Sequence, residues 1–250
     1  MIRTLFEDIL VALSLLTRIP LKVPAHAYNR MDKAVWAYVF AGIIWGFSTW
    51  TITFAFAYFG LPVSIASALG LSAGIIATGA MHEDGLADSA DGILGSWNRS
   101  RRLEIMKDSF LGAYGVLAIV LSTIIRWQLI FALFANSYAL VILILAGCLS
   151  RSVLPIIMAM LNHAREEGLS HSVGRPSGPS VYISLSMTIF FAFFTLKIEG
   201  LMLCFIAVLL AFACAKVAQR TIHGQTGDIL GATAIFTETG VLIASIILLK

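Results

Sequence analysis

Residues 138–162, YALVILILAGCLSRSVLPIIMAMLN, contain one charged side chain, Arg151. The stretch exceeds the roughly 20 residues that an α-helix needs to cross a hydrocarbon core. Comparable apolar runs recur at about 35–60, 61–81, 110–135, 181–198, 201–218 and 229–249. None alternates polar and apolar residues as a barrel strand does, and backbone groups in lipid must be satisfied internally, so each predicts a helix. Gly60-Leu61-Pro62 and Asn136-Ser137 read as hairpin breaks. The sequence therefore predicts an all-α fold: a polytopic integral membrane bundle of about seven transmembrane helices, in a single domain over 1–250. In the opening MIRTLFEDILVALSLLTRIP, Glu7 and Asp8 interrupt the apolar run and no small-residue cleavage site follows, which argues against a secretion signal. The apolar part, Ile9 to Leu16, is too short to span, so it predicts an N-terminal interfacial or re-entrant helix ending at Pro20.

Composition agrees with this reading. Of 250 residues, 59% are apolar and 12% charged, against about 45–50% and about 25% in soluble domains. That balance excludes an ordinary soluble enzyme and a disordered chain. A net charge of +3 with so few charges excludes a nucleic-acid surface and leaves the lipid bilayer as the partner. Cys148, Cys204 and Cys214 lie in apolar runs without CxxC spacing and read as buried thiols. With seven crossings, the N-terminal segment and the loops 82–109, 163–180 and 216–228 share one side. That side carries most of the basic residues, from Arg3 and Arg18 through Arg99, Arg101, Arg102 and Lys107 to Arg165, Arg175 and Arg220, whereas the other side has Lys197 and Lys250. The positive-inside rule makes the rich side cytoplasmic.

The same side carries the acidic stretch His82-Glu83-Asp84-Gly85-Leu86-Ala87-Asp88-Ser89-Ala90-Asp91-Gly92. Asp84, Asp88 and Asp91 are spaced i, i+4, i+7 and share one face of a helix. Carboxylates so placed repel, and a divalent cation removes the repulsion. Oxygen donors suit magnesium, manganese or calcium, and magnesium commonly takes one or two carboxylates together with substrate phosphates. A charge run otherwise reads as a solvated loop, but here the intervening residues are mostly small and leave a ligand room. His82 is a cap or interfacial residue in one reading and a general base in the other.

Downstream, Lys107 and Asp108 precede the small-residue turn Gly112-Ala113-Tyr114-Gly115, a setting for phosphate. The 163–180 loop adds Arg165 and Glu167 as candidates for substrate contact. In Gly224-Gln225-Thr226-Gly227-Asp228, glycines permit close approach, and Asp228 either caps the last helix or binds metal. Arg126, Arg151 and Glu238 fall near mid-span and should face the bundle interior, as packing ion pairs or as the wall of a substrate cavity.

These blocks together resemble one family, the cobalamin synthases (adenosylcobinamide-GDP ribazoletransferases). LLTRIP at 15–20, GAMHEDGLADSADG at 79–92, LEIMKDSFLGAYG at 103–115, AREEGL at 164–169 and GQTGDILGA at 224–232 are similar to the family's blocks in their usual order. Departures are Glu83 in place of an apolar residue, Phe110 where a basic residue is frequent, and Ile235 where an acidic one is often found. The resemblance implies an enzyme of the bacterial inner (cytoplasmic) membrane with its active site facing the cytoplasm. The implied reaction moves the cobinamide phosphate of adenosylcobinamide-GDP from GMP to the ribose hydroxyl of alpha-ribazole or alpha-ribazole 5'-phosphate, giving adenosylcobalamin or its 5'-phosphate and GMP. It also implies magnesium, one or two ions, with manganese as a substitute. On that basis Asp84, Asp88 and Asp91 are expected to hold the metal, with Asp108 and Asp228 as added ligands. His82 or a free carboxylate accepts the acceptor proton, Lys107 and Arg165 stabilise the leaving GMP, and Arg151, Glu167 and Thr226 contact substrate. The chain could self-associate.

Two other classes fit less well. A CDP-alcohol phosphotransferase also sets aspartates on membrane helices, but its DGxxAR pattern fails because Asp88 follows Ala87. An ion-coupled transporter would place its carboxylates near the midplane on broken helices, whereas here they collect at one surface.

Overall fold

The computed structural model describes residues 2–249. Helix α1 (Ile2–Leu16) is followed by an extended stretch and short helical turns over 25–37. Then come α2 (Tyr38–Tyr58), α3 (Val63–Ala77), α4 (Met81–Gly95), α5 (Arg99–Ile105), α6 (Ala113–Leu133), α7 (Ala139–Ser152), α8 (Leu154–Met160), α9 (Leu169–Val173), α10 (Gly178–Thr221) and α11 (Gly227–Leu248). Among the described residues every named element is a helix, and with several of them long and apolar the chain is a multi-pass membrane helical bundle.

Five helical segments are long and apolar enough to cross a membrane, or six if the bent pair α3 and α4 counts as one crossing. The longest, α10, has 44 residues. It is broken at Lys197, whose φ of 54° and ψ of −128° lie outside the helical region. Gly200 packs against the backbone of Ala192, which a continuous helix would hold roughly 12 Å away. The segment is therefore a hairpin of two arms, matching the two apolar runs 181–198 and 201–218.

Burial sorts the helices into centre and periphery. The window Ala139–Met160 is 78% buried, whereas that of α6 is 17% buried and presents Leu117, Leu121 and Ile124 outward. Small residues bring backbones together at the centre. Gly42 of α2 meets Gly147 of α7, and on α3 a Cβ at Gly74 would lie 2.9 Å from the Trp45 indole nitrogen. Helix association in lipid depends on such close packing because no hydrophobic difference drives it.

Inside this centre lies a charged group of four. One Nη of Arg126 (α6) is 2.9 Å from Glu83 and 3.1 Å from Glu238 (α11), and Arg151 (α7) pairs with the other oxygen of Glu238. Arg126 and Glu238 are fully buried, and Arg151 lies under the Trp45 ring at 5.5 Å. Two positive and two negative side chains leave the set neutral, which is what makes it tolerable in an apolar interior.

At the end of α3, Gly79 and Ala80 both adopt positive φ, 67° and 55°, and α4 leaves at 87° to α3. The acidic stretch is thus a helix turned across the bundle end. Helix α1 ends at Leu16, short of Pro20, and is tied down by Asp8, which accepts from Arg30 and from the Trp36 indole.

Candidate active site

Helix α4 crosses α11 at two glycines. A Cβ on Gly85 would sit 2.8 Å from the Asp228 carbonyl oxygen, and one on Gly231 would sit 3.2 Å from Gly85 Cα. That contact brings the acidic face of α4 beside Asp228 at the start of α11. Three cavities, of about 140, 450 and 650 Å³, meet around Asp84, which borders all of them. The small one is lined by His82, Arg165 and Asp228, among others, and the large one by Glu83, Asp88, Lys107 and Asp108.

The carboxylates of α4 grade from outside to inside: Asp84 is exposed, Asp88 is half-buried and Asp91 is buried. Asp84 has no side-chain hydrogen bond or ion pair among the described residues. Asp91 accepts from the backbone amides of Gly112 at 2.7 Å and Gly115 at 2.8 Å, so it anchors the start of α6. The glycines are needed because side chains at either position would run into that carboxylate. Of the five expected metal ligands, Asp91 is thus committed to α6, whereas Asp84 shares one cavity with Asp228 and another with Asp88 and Asp108; among the described residues no three acidic, histidine or cysteine groups gather as a ready ion site.

The remaining expected residues fall into three settings. His82 is 2% exposed, and neither ring nitrogen has a partner, so it sits in the wall of the small cavity as an unsatisfied polar group. Arg165 pairs with Asp228 at 3.0 Å on the same cavity, and Lys107 pairs with Glu167 at 3.1 Å near the surface. Thr226 caps α11, accepting from the Ile229 amide at 3.3 Å and donating to Asp228 at 3.2 Å. Arg151 belongs to the buried charged group, because Glu238 faces it; it borders none of the three cavities.

Several positioning residues escaped the sequence reading. Glu83 ties α4 to Arg126, immediately beside Asp84. Its acidic side chain directly beside Asp84 was the available signal. Gln225 fastens the two loops that carry Arg165 and Asp228: its backbone pairs with Asn162 and Ala164, while its side chain accepts from Ser170 and meets His163 Nδ1 at 2.9 Å. Arg99 donates to the carbonyls of Ile222 and Ala164, each at 2.9 Å, which closes the same junction.

Burial, followed by the nearby His171 and Arg175, lowers the His163 pKa below its usual value. A neutral ring can accept from the Gln225 amide, whereas a protonated ring offers only donors. The stability this contributes is present above about pH 6.5, the ordinary value, and is lost as pH falls through the lower folded value. His163→Asn, which keeps an acceptor, should flatten the fall of the thermal midpoint between pH 7.5 and 5.5. An unchanged acid limb in this variant would exclude His163 as its source.

A family model described as cobalamin-5-phosphate synthase matches residues 8–246. Relatives named adenosylcobinamide-GDP ribazoletransferase include one from Bradyrhizobium diazoefficiens, 38% identical over 97% of this chain and 93% of the relative. One from Mesorhizobium japonicum is 37% identical over 99% and 96%, and one from Shewanella frigidimarina is 33% identical over 91% and 89%. No solved structure matches. The chain belongs to the cobalamin-5-phosphate synthase family, which makes this membrane bundle a transferase of cobalamin synthesis.

Proposed function

We propose that this chain is an adenosylcobinamide-GDP ribazoletransferase, joining the cobinamide phosphate to alpha-ribazole or its 5'-phosphate with release of GMP. The observation that carries the reading is the meeting of three cavities at an unpaired carboxylate, Asp84, with Asp88, Lys107, Asp108, Arg165 and Asp228 around it, in a chain of this family. The acceptor's ribose oxygen forms a bond to the cobinamide-side phosphorus. The bond from that phosphorus to the bridging oxygen of the pyrophosphate breaks, and the electron pair leaves with GMP. The hydroxyl proton passes to a carboxylate of the site; Asp84, Asp88 and Asp108 all line the large cavity. Direct attack fits, since among the described residues no serine or cysteine side chain hydrogen-bonds to a histidine or carboxylate. Lys107 and Arg165 offset the charge that builds on the leaving phosphate.

Magnesium fits the donors in a particular way. Asp84, Asp88 and Asp108 all line the large cavity and offer it oxygen ligands. One or two protein carboxylates are what magnesium takes when substrate phosphates complete its shell. The ion would neutralise the pyrophosphate and polarise the phosphorus–oxygen bonds. Asp91 is set aside for α6, and Asp228 is shared with Arg165.

The enzyme sits in the bacterial inner membrane with this junction facing the cytoplasm, as the distribution of basic residues supports. Turnover should vanish after chelation and return with magnesium, and to a lesser extent with manganese. Full activity of the chelated protein would refute the metal requirement.

A further inference from the structure

The block LLTRIP has no part in the chemistry above, yet it walls the cavity of about 450 Å³ beside Asp84, lined by Ser14, Thr17, Arg18, Thr78 and Gly79 among others. Arg18 is built into the turn that starts α4. Its backbone amide donates to the Ala77 carbonyl at 2.8 Å, and its aliphatic stem crosses Gly79, where a Cβ would lie 2.7 Å from Arg18 Cγ. The guanidinium itself forms no hydrogen bond or ion pair among the described residues. Ala80 and Met81, at the start of the 15-residue α4, lie on the same wall, one turn before Asp84. The cavity is therefore lined by both an exposed, unpaired cation, Arg18, and the Asp84 carboxylate.

We propose that this cavity receives the acceptor as its 5'-phosphate, with the phosphate on Arg18 and the reacting ribose hydroxyl toward Asp84. The inference rests on the transferase reading given above. Charge sets the direction, since a phosphate fits the Arg18 guanidinium and is repelled by the Asp84 carboxylate. The volume lies in the range of small-molecule sites, about 300–1,000 Å³. Lys107 lies on the cavity of about 650 Å³, which Asp84 also borders, so donor and acceptor would occupy different cavities that share that residue. Arg18 thus acts as a specificity determinant: it favours the phosphorylated acceptor over the bare nucleoside.

The test compares kcat/KM for alpha-ribazole 5'-phosphate and alpha-ribazole at saturating adenosylcobinamide-GDP, in the wild type, Arg18→Gln and Arg18→Lys. In Arg18→Gln the ratio of the two values should fall about 10- to 100-fold, mainly through KM for the phosphorylated acceptor, as expected for one charge-assisted hydrogen-bonded contact. Arg18→Lys should recover part of the ratio. An equal loss with both acceptors would put Arg18 on the donor's pyrophosphate or in folding and overturn the proposal. An unchanged ratio would overturn it as well. Failure of the wild type to use either acceptor would refute the transferase reading itself, a separate result.

Discussion

Asp84→Asn should lower kcat for GMP release by about 10²- to 10⁴-fold, the range for loss of a group that handles charge or a proton in the transition state. Its thermal midpoint in lipid should stay level or rise. The two effects separate because Asp84 is exposed and makes no side-chain contact among the described residues, while Asp88 stands one turn along the same helix. Removing its charge breaks nothing and relieves a repulsion. Asp91→Asn is the contrast: its charge holds the amides of Gly112 and Gly115, so it should lose stability as well as activity. Turnover of Asp84→Asn equal to that of the wild type would remove Asp84 from the site.

Glu238→Gln should be the most destabilising single change in the bundle. Glu238 bridges Arg126 and Arg151 in the interior, and its loss leaves Arg151 with no carboxylate. Breaking a buried pair in this way costs about 3–5 kcal/mol, or about 6–20 °C in thermal midpoint for a chain of this size. Adding Arg151→Met should restore part of the loss, since Arg126 and Glu83 then remain as a neutral pair. Circular dichroism melts of the single and double variants measure this, and a double variant no more stable than the single would contradict the charge-balance account. Because Glu83 precedes Asp84, the single variant should also lose activity through displacement of α4.

Much of this was legible in the sequence because membranes impose a simple code. The run 138–162 forms the buried α7 and α8, and the two runs flanking Lys197 form the two arms of α10. The i, i+4, i+7 spacing of Asp84, Asp88 and Asp91 is realised on α4. What each carboxylate faces was not legible, because that depends on elements distant in the chain. Asp91 is taken by the start of α6, more than 20 residues on. Likewise Arg151 read equally as packing or as cavity wall; the choice was made by Glu238, 87 residues away. Arg18 belongs to the LLTRIP block, but its cavity exists only because the chain turns through 87° at Gly79 and Ala80. Local periodicity carries the helices, whereas the site is assembled from helix ends whose approach is set by single glycines such as Gly85 and Gly231.

The most direct test of the central claim is the stoichiometry of turnover by the purified protein in lipid vesicles with magnesium and adenosylcobinamide-GDP, with and without acceptor. The account predicts GMP and the joined cobamide in equal amounts when acceptor is present, and no GMP without it. GMP release that ignores the acceptor, or no turnover by folded protein with either acceptor, would contradict it.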